Sequence, residues 1–222
     1  MSAQHSTTSP GPRSRLRRLP QRGSHETAAI HAILDAGFLA HIGFQVNGQP
    51  FVIPTLYGRE QNTLFLHGSA ASRMLDTLEG GAPACVNVVL VDGLVLARSA
   101  FHHSMNYRSV VAFGEARKIA APERKVEALR VISEHLLAGR WADVRPPSPQ
   151  ELKATAVIEF TIAEASAKVR SGPPMDDEED YSWPVWAGVL PLALAPQPPV
   201  PDPRLAPGIA PPRYALAFRR RT

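Results

Sequence analysis

The sequence contains a single cysteine, Cys85, in 222 residues. This excludes an internal disulfide framework and any zinc or iron–sulfur site built from several thiolates. No run of about eighteen apolar residues occurs, so no membrane-spanning helix is expected. The N-terminus has no charged-then-apolar-then-small pattern, which leaves a cytoplasmic address as the default. Acidic residues are missing from both ends. Residues 1–25 hold five arginines and no acid, and so do residues 203–222. Against a whole-chain net charge of +4, the part between them, residues 26–202, carries −6. The pI near 9.6 therefore comes from the ends. The arginines of the N-terminal arm are not interleaved with aromatics, and no helix-turn-helix or finger spacing is present. Specific nucleic-acid binding is therefore not expected, and the ends read as solvated tails.

Between the tails, composition is ordinary for a folded domain: 44% hydrophobic and 20% charged over the whole chain. Residues 25–36 have a helical apolar spacing (Ala28, Ile30, Ile33, Leu34), with Gly37 behind them. The period then shortens. Residues 38–46 and 51–57 read as strands joined by Asn47-Gly48, a pair suited to the positive φ of a tight hairpin. Pro54 cannot donate to a ladder, which predicts an edge or a bulge there. Residues 63–67 form a third strand, and a short helix is expected from the Ser72 region to Leu78. Strands over 84–91 and 94–101 are expected to be joined at Asp92-Gly93, a second hairpin signal. A long extended run follows over 105–119, with Gly114 placed as a bulge. A helix opened by Pro122 runs to about Ala138. A proline linker (146–149), a helical turn (151–154), a strand (155–162) and a short extended piece (186–194) complete the reading. Many short strands joined by tight turns predict a mainly β, antiparallel, closed or nearly closed barrel with peripheral helices. The expected division is a basic tail over 1–24, one domain over 25–194, and a Pro/Arg-rich tail over 195–222.

Three segments could carry chemistry. Leu66-His67-Gly68-Ser69-Ala70-Ala71-Ser72-Arg73 ends a strand, turns on small residues and starts a helix. Backbone N–H groups, hydroxyls and a guanidinium in that order suit an anion such as a phosphate, while a plain capping turn explains the serines equally well. Residues 98–110 (Arg-Ser-Ala-Phe-His-His-Ser-Met-Asn-Tyr-Arg-Ser-Val) set many polar groups between apolar strands. Such groups are costly to bury unless something uses them, and a planar heterocycle with hydrogen-bonding edges would do so. Trp183-Pro184-Val185-Trp186 supplies aromatics suited to a core, an interface or a stacking role. Adjacent His102 and His103 point to opposite faces if they lie on a strand, so no metal site is expected from them. No G-x-S-x-G elbow and no G-x-G-x-x-G run occurs.

Taken in order, the hairpin over 43–55, the Leu64–Arg73 segment and the Asp92–Val110 segment resemble the pyridoxamine 5′-phosphate oxidase-like flavoproteins. More narrowly, they resemble the flavin-nucleotide-binding branch close to the nitroimidazole-resistance reductases. The resemblance spans about residues 25–194. It implies an antiparallel split β-barrel that forms a homodimer with FMN at the subunit interface. It further implies that Ile53, Pro54 and Thr55 line the flavin ring. His67, Gly68, Ser69, Ser72 and Arg73 would lie about the phosphate, with His67 as the catalytic, substrate-side group. Asn106, Tyr107, Arg108 and Ser109 would sit on the flavin side of the barrel, and Trp186 near the end of the fold. The expected function is FMN-dependent oxidation or reduction of a small molecule such as a nitroaromatic. The alternatives are a flavin carrier without dedicated catalysis, or a haem- or deazaflavin-binding relative in which His102 or His103 would serve as axial ligand.

Overall fold

The computed structural model describes residues 11–219. Its elements in chain order are β1 (Gly23–Ser24), α1 (Thr27–Ala36), β2 (Leu39–Val46), β3 (Gln49–Glu60), β4 (Thr63–Ser69), α2 (Arg73–Glu79), β5 (Ala84–Leu96) and β6 (Ser104–Lys118). They continue with α3 (Pro122–Leu136), α4 (Arg140–Asp143), α5 (Pro149–Ala154), β7 (Thr155–Arg170), β8 (Gly188–Pro191) and α6 (Arg213–Leu216). All strand pairs are antiparallel, in the order β7-β4-β3-β2-β5-β6, and β6 pairs again with β7. That last pairing closes six strands into a barrel and removes most exposed edges. Strand β1 adds to β7 and β8 adds to β5. No helix among the described residues is long and apolar enough to cross a membrane.

The expected Asn47-Gly48 hairpin forms, with φ of 51° and 81° at the two residues. Pro54 lies where β3 is paired on one side only. Its residues 49–56 pair with β2, and β4 joins only from Tyr57 onward. The barrel wall is therefore split along this half of β3, and a residue without an N–H is tolerated there.

The second hairpin lies elsewhere. Asp92-Gly93 does not turn the chain. Strand β5 runs through it to Leu96 with a register shift between Val91 and Gly93, and the turn into β6 occupies residues 97–103. Gly93 is needed for closeness rather than for a turn. A Cβ there would meet the Leu190 carbonyl oxygen and Val189 Cγ1, each at 3.0 Å, so its absence lets β8 lie beside β5. Gly114 marks a bulge as expected, with the register shifting between Phe113 and Gly114, and a Cβ there would sit 1.9 Å from the Thr161 carbonyl oxygen.

Strand β7 extends eight residues beyond the expected end at Ile162, to Arg170. Its second half is Ala163-Glu-Ala-Ser-Ala-Lys-Val-Arg170, weak in β-branched residues and held by its ladder with β6. Part of the presumed N-terminal tail is also in place. Gly23 and Ser24 pair with β7, Ser14 is buried, and the Arg13 guanidinium donates twice to one carboxylate oxygen of Glu164. Residues 1–10 lie outside the described residues.

The core has two compartments. The barrel interior takes Ile42, Leu64, Leu66, Val86, Val110 and Phe160, closed by Ile30 and Leu34 of α1 and by Met74, Leu75 and Leu78 of α2. The second lies between α3 and the outer wall and holds Phe65, Val131, Ile132 and Val157. Strand β4 is thus covered on both faces, which is why Leu64, Phe65 and Leu66 are all buried. Gly58 sets the depth of this packing. A Cβ on it would lie 2.6 Å from Ile132 Cα, so backbone meets backbone where α3 crosses β3. Gly58→Ala should push α3 outward and cost about 1–3 kcal/mol, an overpacking penalty without relief from a flexible side chain. Urea unfolding of the variant should give a lower midpoint with an unchanged slope.

Candidate functional site

The residues singled out in the sequence fall into three places. His67 leaves β4 on the same face as Phe65, one residue pair beyond the cover of that face. It opens into a cavity of about 530 Å³ walled by Leu56, Leu129, Ile132, Leu136 and Trp141. Arg145 and Glu151 stand at the same cavity. The ring is half-buried, and its Nδ1 is shielded from solvent with no hydrogen-bond partner. Burial pushes its pKa below 6.5, so the imidazole is neutral at neutral pH with a nitrogen lone pair available.

The second place is the turn beyond His67. Ser69 Oγ accepts from the Ala71 N–H (3.2 Å), and Ser72 Oγ accepts from the Leu75 N–H (3.5 Å), so both hydroxyls serve the turn and the start of α2. Gly68 lets Leu75 approach, with Leu75 Cδ1 3.1 Å from where a Cβ would be. The Arg73 guanidinium lies over the Phe51 ring at 5.3 Å from its centroid and makes no ion pair among the described residues. Across the split wall, Pro54 faces out, Ile53 packs toward the barrel interior, and Thr55 is half-buried with its hydroxyl donating to the Leu56 carbonyl (3.3 Å).

The third place is far from the second. Arg73 sits at the Phe44–Phe51–Ala84 end of the barrel, whereas Arg108 pairs with Leu90, six residues along β5. That is about 20 Å of strand. The buried polar groups there are matched within the chain. Arg108 forms a bidentate pair with Asp92 (3.0 and 2.7 Å), and the side-chain carbonyl of Asn106 accepts from Arg170 while its amide donates to the Gly172 carbonyl (3.1 Å). Ser109 donates to the Lys168 carbonyl (3.4 Å). The polar run that the sequence left unexplained is thus largely internal bracing. Ser109 and Tyr107 share the outer face with Val89 and Val91, which are exposed. Trp186 is 66% exposed and its ring lies against Gly188, at the β8 edge.

His102 and His103 lie in neither the cavity nor the strand. They belong to the turn over 97–103, where His102 Nε2 faces Asp177 (3.2 Å) and His103 Nδ1 faces the Ser99 carbonyl (2.9 Å). Donor atoms of His102, Asp177 and Asp180 fall within 4.8 Å of one another on an open surface. The histidine inside an apolar chamber is His67. Sequence reasoning found it but missed its surroundings, because Trp141, Arg145 and Glu151 come from the proline linker and the short helices beside it, 74 or more residues away. A tryptophan and a capping box, Ser148 with Glu151, were the available signals.

The family follows from this frame. Residues 26–169 match the family model described as pyridoxamine 5′-phosphate oxidase. The chain belongs to the pyridoxamine 5′-phosphate oxidase-like family. No curated protein matches the sequence. Among solved structures it is similar to the flavocytochrome Anf3 from Azotobacter vinelandii, at 45% identity over 95% of this chain and 98% of that one, with a TM-score of 0.89. It is also similar to the FAD and heme binding protein from Mycobacterium smegmatis, at 34% identity over 88% and 96% of the two chains, with a TM-score of 0.84. A putative 5-nitroimidazole antibiotic resistance protein from Bacteroides thetaiotaomicron shares the fold at 23% identity, 66% and 86% coverage and a TM-score of 0.57. The first of these is named a flavocytochrome and the second an FAD and heme binding protein.

The loop with Trp183 and Trp186 is tied down by Asp176, whose fully covered carboxylate accepts from the Arg98 backbone N–H (2.9 Å), the Ser99 N–H (3.4 Å) and the Arg98 guanidinium (3.0 Å). Burial works against its ionisation, but these donors outweigh burial and hold the carboxyl below the ordinary aspartate range. A carboxyl depressed in the folded state stabilises fully above its unfolded pKa of about 3.9, and that stabilisation is lost as pH falls through the folded value. Asp176→Ala should therefore speed limited proteolysis between residues 176 and 186 at pH 7, and the wild type should show the same release only in acid. Equal protection of the two proteins at pH 7 would contradict the tie.

Proposed function

We propose that this protein is a flavin- and haem-binding redox protein, a flavocytochrome, with haem held in the His67 cavity. One observation carries the reading: a half-buried imidazole, its pKa lowered by burial and its Nδ1 without a partner, beside a cavity with a largely apolar body and Arg145 and Glu151 among its lining. The residues present fit the group. The chamber supplies apolar walls for a tetrapyrrole, His67 supplies an axial nitrogen, and the shell around it keeps that nitrogen unprotonated. The two relatives above 30% identity, named for flavin and haem, support the assignment. Bound haem and flavin together supply one-electron chemistry coupled to two-electron chemistry. His67 is thus read as a ligand rather than as a substrate-side group, and it replaces His102 and His103 as the axial candidate.

The flavin is read as FAD rather than FMN, on the strength of the Mycobacterium smegmatis relative named for FAD. Its phosphates are assigned to the turn Gly68–Arg73, where Arg73 has no acidic partner and the small residues leave the backbone approachable. Pro54 and Thr55 adjoin that turn across the split and would border the ring system. Leu39, Val52, Val89 and Val91 are exposed on neighbouring outer strands, and a second copy of the chain is the occupant that best suits this apolar strip. The likeness to the nitroimidazole-resistance protein, at 23% identity, speaks to the fold and not to a nitroaromatic substrate.

The absorption spectrum of the purified protein should contain a Soret band over flavin bands. His67→Ala should remove the Soret band and keep the flavin. A flavin-only protein that takes up no added haem would overturn the haem assignment. The flavin released on denaturation should chromatograph as FAD, and FMN would overturn that choice. Arg73→Ala should weaken flavin binding by about 1.5–3 kcal/mol, the range of a hydrogen bond to a charged group, as read by fluorescence titration.

A further inference from the structure

Resting on the haem reading of the His67 cavity, we propose that Arg145 anchors the carboxylate edge of the tetrapyrrole by exchanging its partner Glu151 for a propionate. The cavity is chemically two-sided. Its body is Leu56, Leu129, Ile132, Leu136 and Trp141, and among the lining residues Arg145 is the one permanent cation. A flat apolar ring with an acidic edge therefore has a single way to satisfy both ends: ring inward toward His67 and carboxylates outward toward Arg145. A guanidinium meets a carboxylate with two parallel hydrogen bonds, so exchanging one carboxylate for another conserves the contact.

The present partner is arranged to be left. Arg145 holds Glu151 through Nη1 (2.8 Å) and Nη2 (2.6 Å), and its Nη1 also donates to the Pro146 carbonyl (3.1 Å). Glu151 does not depend on Arg145 alone. One of its oxygens accepts from the Ser148 backbone N–H at 2.7 Å, closing the capping box at the start of α5. When Arg145 turns away, that carboxylate keeps its capping bond and remains in contact with water, its side chain being 47% exposed. No buried charge is stranded by the exchange, so it is cheap. With Glu151 nearby, an incoming propionate meets one cation and one anion. Glu151 thus acts as a competitor that makes occupancy depend on the ligand carrying acids of its own. Apolar rings lacking a carboxylate gain nothing from displacing it.

The test uses the full chain depleted of haem and titrates it with haemin and, separately, with haemin dimethyl ester, following the Soret band. The wild type should bind haemin about tenfold or more tightly than the ester. Arg145→Ala should lose most of that preference while the Soret position stays as in the wild type, since His67 is untouched. Arg145→Lys, which keeps the charge but not the fork, should fall between them. Glu151→Gln should bind haemin severalfold more tightly than the wild type, with ester affinity unchanged. An Arg145→Ala protein with the wild-type preference overturns the anchor. A Glu151→Gln protein with unchanged haemin affinity overturns the exchange. A wild type that binds neither compound overturns the haem reading itself, and that outcome is distinct from the other two.

Discussion

Close approach of α3 to the barrel is the constraint on which the rest depends. Gly58 lets the helix backbone come down onto β3, and Phe65 fills the space beside it on β4. The helix packs on the outer wall at Phe65 and, through Leu129, Ile132 and Leu136, faces His67 across a cavity. A wall covered along its whole length would have buried His67 among hydrocarbon with nothing to bond to, and a wall left bare would have hydrated it. The partial cover gives a third condition: an imidazole dry enough to stay neutral, with a chamber in front of it. The chamber is finished by a segment with little structure of its own, the two short helices and the prolines between them. Prolines at 146, 147 and 149 fix the path of that segment at little entropic cost, since their unfolded states are already restricted.

Three ion pairs, Asp176 with Arg98, Asp92 with Arg108 and Asp35 with Arg59, tie separate segments together through a guanidinium and a carboxylate. Asp92 stands at the register shift of β5, and Asp176 and Asp35 lie outside the sheet ladder. Arg73 and Arg145, near the split and the His67 cavity, differ from these pairs. Arg73 has an aromatic ring and no acid, and Arg145 has an acid that is also committed elsewhere. Arginines without an exclusive internal partner are the ones able to meet an external anion.

Much of the barrel was legible in the sequence because the signals are local. Asn47-Gly48 needs positive φ, Pro54 needs a missing partner strand, and Gly114 needs a bulge; all three are met in the fold. Asp92-Gly93 carries the same local signature as Asn47-Gly48 yet lies within a strand, because its glycine answers to β8, a segment some hundred residues on. The second half of β7 was illegible for the opposite reason: its alanines and serines favour no strand, and the ladder with β6 supplies the order. The polar run over 98–110 is legible in a different way. Its composition asks for partners, and within the chain Asp176, Arg170 and Asp92 supply several of them. Composition can state that a group needs satisfying and cannot state by whom.

The same reasoning separates the two redox sites of the proposal and then joins them. The Gly68–Arg73 turn and the His67 cavity are consecutive along β4, and Leu56 and Pro54 are consecutive outward positions along β3. Two ring systems placed by these neighbours would be a few residues of strand apart, not across the barrel. Asn106 and Arg108 lie about 20 Å along the wall of the same chain from the Arg73 end. On that proposal, Arg73 on one side of the split and His67 on the other would bring an anion site and a metal-ligand site onto one edge. That is what electron exchange between a flavin and a haem requires of a scaffold with so few free polar groups.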